Sequence, residues 1–200
     1  MAEGRSSTCI GVLSLQGAYQ KHIEMLKKLG VRAINVLYPD DLDCCDGLVI
    51  PGGETTTMTK FLKTDGNFIS RIKQFAKEKP LFGTCAGLIL MARRCNDPAI
   101  ATLDLVDIEV QRNGYGTQAN SFSTTLPCQL GEEKTTTPAL FIRAPIITQC
   151  GPAVSVLAKH NGNPVLVQQG HHLAASFHPE LTNNLAIYNH FLHTIVTIPV

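Results

Sequence analysis

The chain has 200 residues, 44% of them hydrophobic and 16% charged, and its 17 basic and 16 acidic side chains leave a formal charge of +1. A chain this long buries roughly 70% of its unfolded surface, which excludes a disordered segment and reads as one domain over residues 1–200. The absence of a basic stripe argues against nucleic acid as a partner; no apolar run reaches the roughly 18 residues of a membrane span, and Met1 to Thr8 lacks a signal peptide's apolar stretch.

In chain order, residues 9–15 form a short apolar run that suits a buried parallel strand. Ile23, Leu26 and Leu29 then recur at helical spacing, with Gly30 as the stop. Residues 32–37 and 47–50 read as the second and third strands, the latter cut off by Pro51, Gly52 and Gly53. Phe68, Ile72, Phe75 and Ala76 mark a helix with Asn67 as its N-cap. Residues 80–83 form a fourth strand and 88–92 begin another helix.

Beyond residue 97 the pattern turns strand-rich, with segments near 107–111, 121–125, 140–143, 154–160, 164–168 and 173–177. Asn161 and Gly162 between two apolar runs signal a hairpin. Residues 131–138, rich in Thr and Glu, read as a surface loop. Leu185, Tyr188, Leu192 and Ile195 share one face of a closing helix opened by Asn183 or Asn184. The whole predicts a three-layer α/β/α domain around a mixed, mainly parallel sheet.

Seven cysteines, an odd number with no CxxC pair, make neither a disulfide framework nor a zinc site. Cys44, Cys45, Cys95, Cys128 and Cys150 carry no motif and read as structural thiols of a cytoplasmic protein. His171 and His172 lack partners at ligand spacing, so no metal is expected.

Gly83, Thr84, Cys85, Ala86 and Gly87 lie between a buried strand and a helix, the G-x-nucleophile-x-G elbow with Cys in place of Ser. The helix that follows aims its positive end at the sulfur and favours the thiolate. By itself the pentapeptide fits a buried Cys in a Gly-rich turn equally well. Ser176, Phe177, His178, Pro179 and Glu180 follow another apolar strand. Pro179 forces His178 into an extended conformation, so Glu180 can bond one ring nitrogen while the other faces a sulfur. Alone, that segment reads as a capped strand end. The glycines of the turn at 51–55 leave backbone N–H groups free to serve an oxyanion.

Together these segments resemble the class I, triad-type glutamine amidotransferases. Closer still, Leu15 to Ala18, Pro51 to Met58, Phe82 to Leu88, Phe141 to Pro145 and Ser176 to Leu181 are similar to the family of glutaminase subunits of pyridoxal 5′-phosphate synthase. The resemblance implies hydrolysis of L-glutamine through a glutamyl thioester on Cys85, with His178 as base, Glu180 orienting it, and an oxyanion hole from Gly53 and Ala86. It assigns glutamine binding to Gly53, Glu54, Thr55, Arg112, Ile142 and Arg143, with no cofactor. The implied partner is the barrel-shaped synthase (lyase) subunit in a hetero-oligomeric complex, which receives the ammonia, and the turn at 15–19 is where docking is sensed. Thr55 replaces the family's usual Ser, and Thr117 and Asn120 replace an Arg and an Asp. Two other readings stand beside this one: a cysteine peptidase or deglycase of related fold, and a catalytically weak or non-catalytic regulatory partner of the synthase.

Overall fold

The computed structural model describes residues 8–64, 66–114 and 121–196, the last two by backbone alone. Its elements run β1 (Cys9–Leu13), α1 (Tyr19–Lys28), β2 (Arg32–Val36), β3 (Gly47–Ile50), α2 (Thr55–Thr64), α3 (Phe68–Ala76), β4 (Leu81–Thr84) and α4 (Ala86–Met91). There follow β5 (Ala92–Cys95), β6 (Val106–Gln111), β7 (Phe122–Leu130), β8 (Glu133–Phe141), β9 (Ile146–Cys150), β10 (Ser155–His160), β11 (Asn163–Gln169), β12 (His172–Ala175) and α5 (Ala186–Val196).

Nine strands form the main sheet in the order β2-β1-β3-β4-β12-β11-β10-β7-β8, and β5-β6-β9 form a smaller one. From β2 to β12 neighbouring strands are parallel; from β12 outward they are antiparallel. Every residue of β1, β3, β4 and β12 is buried, as helices on both faces of a parallel sheet require. One core packs Ile23 and Leu26 of α1 with Tyr188 and Phe191 of α5 against Phe82 and Leu173. The other packs Met58, Leu62, Phe68 and Ile72 with α4 against Leu48, Ile50 and the small sheet's Ile108 and Ile147. Three layers result.

The structure departs from the sequence reading in several places. Residues 131–138 are not a loop: Leu130 pairs with Glu133 across a two-residue turn, and β8 runs on to Phe141. Thr135, Thr137 and Ala139 turn inward while Thr136 and Pro138 face out, a period of two that the polar composition concealed. Pro138 is tolerated because β8 ends the sheet and its missing N–H costs no ladder bond there. The helix α2 went unread because three threonines open it; the Glu54 carboxylate accepts the Thr56 and Thr57 N–H groups at 3.0 and 2.7 Å and caps it. Asn67 sits in helical conformation and makes no side-chain cap; its Oδ1 accepts the Ser70 hydroxyl at 2.8 Å instead. The strands β5 and β9 also went unread.

Other expectations hold. Asn161 and Gly162 both have positive φ, 48° and 83°, as a type I′ hairpin turn requires. Asn184 caps α5, its Oδ1 accepting the Ala186 N–H at 2.8 Å.

Candidate active site

The parallel order β1-β3-β4-β12 sets the carboxyl ends of these strands side by side, the edge where open α/β sheets hold their ligands. Cys85 leaves the end of β4 between the glycine turn after β3 and the 176–180 segment after β12. The registers are close: Ile50 lies beside Gly83, Ala175 beside Thr84, and the Cys85 N–H donates to the Ala175 carbonyl at 2.8 Å. Ninety-three positions of sequence collapse to one strand spacing.

Cys85 has φ 48° and ψ −102°, a conformation that costs a non-glycine residue roughly 1–3 kcal/mol. This is the sharp turn of a nucleophile elbow. Gly87 makes it possible, since a Cβ there would lie 1.9 Å from the Ile50 carbonyl oxygen. The Cys85 sulfur lies 3.9 Å from the Ile142 carbonyl.

His178 Nδ1 and Glu180 Oε1 are 2.6 Å apart, and both residues are buried. Burial alone would lower the His178 pKa; the hydrogen bonds to Cys85 and Glu180 and the charges of both outweigh it and bring the imidazole up to about 10. Burial works in the opposite direction on Glu180, whose carboxyl is nonetheless held below its ordinary value by the electrostatic influence of the neighbouring His22 ring and by the hydrogen bond to His178.

The sequence reading missed a layer behind these groups. His22 of α1 is completely buried, with Nδ1 2.7 Å from the Tyr188 hydroxyl, Nε2 3.2 Å from Thr84 Oγ1 and 3.5 Å from Glu180 Oε2. Thr84 Oγ1 also accepts the Gly52 N–H at 3.0 Å. The signal was a histidine on the apolar stripe of a helix, beside Ile23 and Leu26, and a tyrosine in the corresponding place on α5.

A cavity of about 230 Å³ opens over the sulfur, lined by Gly53, Glu54, Thr55, Arg112, Ile142 and Arg143 together with His178. Every substrate-binding residue anticipated from the sequence therefore meets in one space. The two arginines differ. Arg112 is paired with Asp97 and lies 3.6 Å from Glu54, whereas Arg143 is exposed and has no anionic partner among the described residues. Burial is the largest single influence and raises the Glu54 pKa, but the hydrogen bonds from Thr57 and Thr56 together outweigh it and hold the carboxyl down to about 2. Ala18 N–H donates to the Gly52 carbonyl at 3.0 Å, and Gln16 Nε2 to that of Glu54 at 2.9 Å, so the 15–19 turn rests directly on the glycine turn. Thr117 and Asn120 lie outside the described residues.

Among the described residues, one group could hold a metal by distance: the sulfurs of Cys9, Cys44 and Cys45 lie within 4.8 Å of one another. Cys9 opens β1 at the end away from the cavity. Burial pushes the Cys9 thiol up and that of Cys45 up to about 12, so both stay protonated and pack as small core residues. His172 is likewise a packing residue, accepting the Leu81 N–H at 3.3 Å.

An α/β sheet that sets a cysteine elbow beside a His-x-Glu segment and a glycine turn defines the class I, triad-type glutamine amidotransferases. The family model described as the SNO glutamine amidotransferase family matches residues 12–197, and the chain belongs to that family. The chain is similar to the pyridoxal 5′-phosphate synthase subunit PdxT of Brevibacillus brevis, at 45% identity over 93% of this chain and 96% of that protein. It is similar to the PdxT subunit of Desulforamulus reducens at 46% identity, over 93% and 98% of the two chains. A crystal structure of a glutamine amidotransferase superposes with a TM-score of 0.87 at 37% identity, covering 94% of this chain and 99% of the other. The glutaminase domain of Trypanosoma brucei CTPS shares the fold, with a TM-score of 0.63 at 12% identity over 97% and 96% of the chains. No helix among the described residues is long and apolar enough to cross a membrane.

Proposed function

We propose that this chain, acting as one domain over residues 1–200, hydrolyses L-glutamine to L-glutamate and ammonia and passes the ammonia to the synthase subunit of a pyridoxal 5′-phosphate synthase. The observation that carries this reading is Cys85 on a strained elbow beside a buried His178 whose other ring nitrogen is 2.6 Å from Glu180.

His178, already the imidazolium partner of Cys85, holds the proton while the Cys85 thiolate attacks the side-chain amide carbon of glutamine. Glu180 fixes the ring so that Nε2 faces the sulfur, and its charge stabilises the imidazolium. The developing oxyanion is met by the N–H groups of Gly53 and Ala86; Ala86 opens α4, so its N–H has no acceptor within the helix. His178 then returns the proton to the departing nitrogen, which leaves as ammonia and a glutamyl thioester. Water, deprotonated by the same ring, cleaves the thioester and frees the Cys85 thiol and glutamate.

At the other end of the substrate, the guanidinium of Arg143, which has no anionic partner among the described residues, grips the α-carboxylate, and the ionised Glu54 faces the α-ammonium. Thr55 and Ile142 shape the cavity, and Arg112 steadies Glu54. Ammonia is protonated and unreactive in neutral water, so a closed path into a hetero-oligomeric partner suits this chemistry. Contact between the 15–19 turn and the glycine turn gives docking a direct route to the oxyanion donors. All seven cysteines are free thiols, which supports a cytoplasmic setting.

Glutamate release from glutamine, measured with and without the synthase subunit, tests the reading. Release that rises on adding the synthase is the expected result; none in either condition overturns it. A thiol-directed glutamine analogue should inactivate the chain with protection by glutamine, which separates this function from a peptidase or deglycase.

A further inference from the structure

We infer that His22 is a positioning residue for glutamine hydrolysis: as a neutral donor it holds the second oxygen of Glu180, and through Thr84 it ties the triad's acid to the glycine turn. This rests on the function proposed above and adds a residue to its machinery.

Glu180 is buried and spends Oε1 on His178. Its Oε2 is fully shielded and makes no hydrogen bond among the described residues. The ring nitrogen that faces this oxygen is His22 Nε2, at 3.5 Å. The carboxylate oxygen facing Nε2 can only accept, so the His22 ring proton belongs on Nε2 and leaves Nδ1 as an acceptor. Tyr188 keeps its phenol proton, because burial and the charge of Glu180 push its pKa well up, and the hydroxyl donates to His22 Nδ1 at 2.7 Å. The ring proton then sits on Nε2, pointing at Glu180 Oε2 and Thr84 Oγ1.

Neutrality matters as much as direction. Burial holds the His22 pKa down, the charge of His178 adds to this, and Glu180 opposes it. A second imidazolium would compete with His178 for the same carboxylate. A neutral donor orients the carboxylate and leaves its charge for His178. The groups facing the ring are Tyr188 from α5, Thr84 and Phe82 from β4, and Glu180 and His178 from the segment after β12.

The test uses the chain assembled with its synthase subunit. His22→Leu should lower kcat for glutamine about ten- to hundredfold with KM changed less than about twofold. It should also move the acid limb of the pH profile up by about one unit, because Glu180 without its donor takes a proton more readily. His22→Gln, whose amide N–H can reach the Nε2 position, should recover most of both effects. Tyr188→Phe, which keeps the ring and loses only the donor to Nδ1, should shift both in the same direction by less, and it decides the matter if His22→Leu does not fold. The pH dependence of Cys85 alkylation by iodoacetamide reads the same coupling without glutamine, so it still decides if the wild-type complex releases no glutamate and the functional reading fails. Wild-type kcat and acid limbs in both variants would overturn the inference. So would His22→Gln impaired as deeply as His22→Leu with neither acid limb moved, which would leave His22 a packing residue.

Discussion

The imidazole of His178 occupies space that only a glycine at position 52 leaves open: a Cβ on Gly52 would lie 2.4 Å from His178 Cε1 and 3.0 Å from Nδ1, with Cys85 Cβ at 3.3 Å. Cys85 and His178 thus meet across the bare backbone of the glycine turn. Gly52→Ala should displace the ring and lower kcat by more than about a hundredfold, since sub-ångström misplacement of a base is costly. The fold should survive, because the clash is with one side chain. Steady-state glutaminase assays beside a thermal melt will separate the two effects.

Cys85→Ala should abolish glutamate release, a loss of at least about a thousandfold, because no other group can form the thioester. The variant should still assemble with the synthase, as Cys85 is buried at the cavity floor. Unchanged glutamate release would defeat the covalent mechanism.

Glu180→Gln keeps the shape of the side chain and loses the charge that fixes the tautomer of His178. It should lower kcat about 10²–10⁴-fold with little change in KM. Single-turnover assays of thioester formation will show whether the loss falls on the first chemical step.

Arg143 lines the cavity with no anionic partner among the described residues, whereas the charge of Arg112 is already shared by Asp97 and Glu54. Arg143→Gln should therefore raise KM for glutamine about ten- to hundredfold and leave kcat within a few-fold, the pattern of lost ground-state binding. A fall in kcat with KM unchanged would place Arg143 elsewhere in the mechanism.

The His178 pKa, raised to about 10 from an ordinary value near 6.5, makes a stability prediction of definite sign. The folded state binds more protons than the unfolded state between these values. The stability that His178 contributes is complete below about pH 6.5 and is lost as pH rises through about 10. The Tm difference between wild type and His178→Asn should shrink steadily over that window. A difference that grew with pH would contradict the assignment.

The parallel half of the fold was legible because its strands are continuous apolar runs ended by glycine or proline, and its helices carry plain apolar stripes. The segments that bring Cys85, His178 and Glu180 together, and the residues lining the cavity, could be picked out for a related reason: sharp glycine turns tolerate few residue types, so those segments keep a recognisable spelling. The β8 strand and α2 were not, because threonine serves equally in a loop, a strand edge or a helix start, and only pairing with β7 or the Glu54 cap decides among them.

Sequence alone, then, named Cys85, His178 and Glu180 and the strands that present them. What it could not supply was the placement of β12 beside β4, which depends on pairing between residues 91 positions apart in the chain, such as Leu173 and Phe82. Nor could it supply the His22–Tyr188–Thr84 layer, since a buried polar side chain is defined by what surrounds it, and those surroundings come from three separate elements, two helices of one core and the strand they pack against.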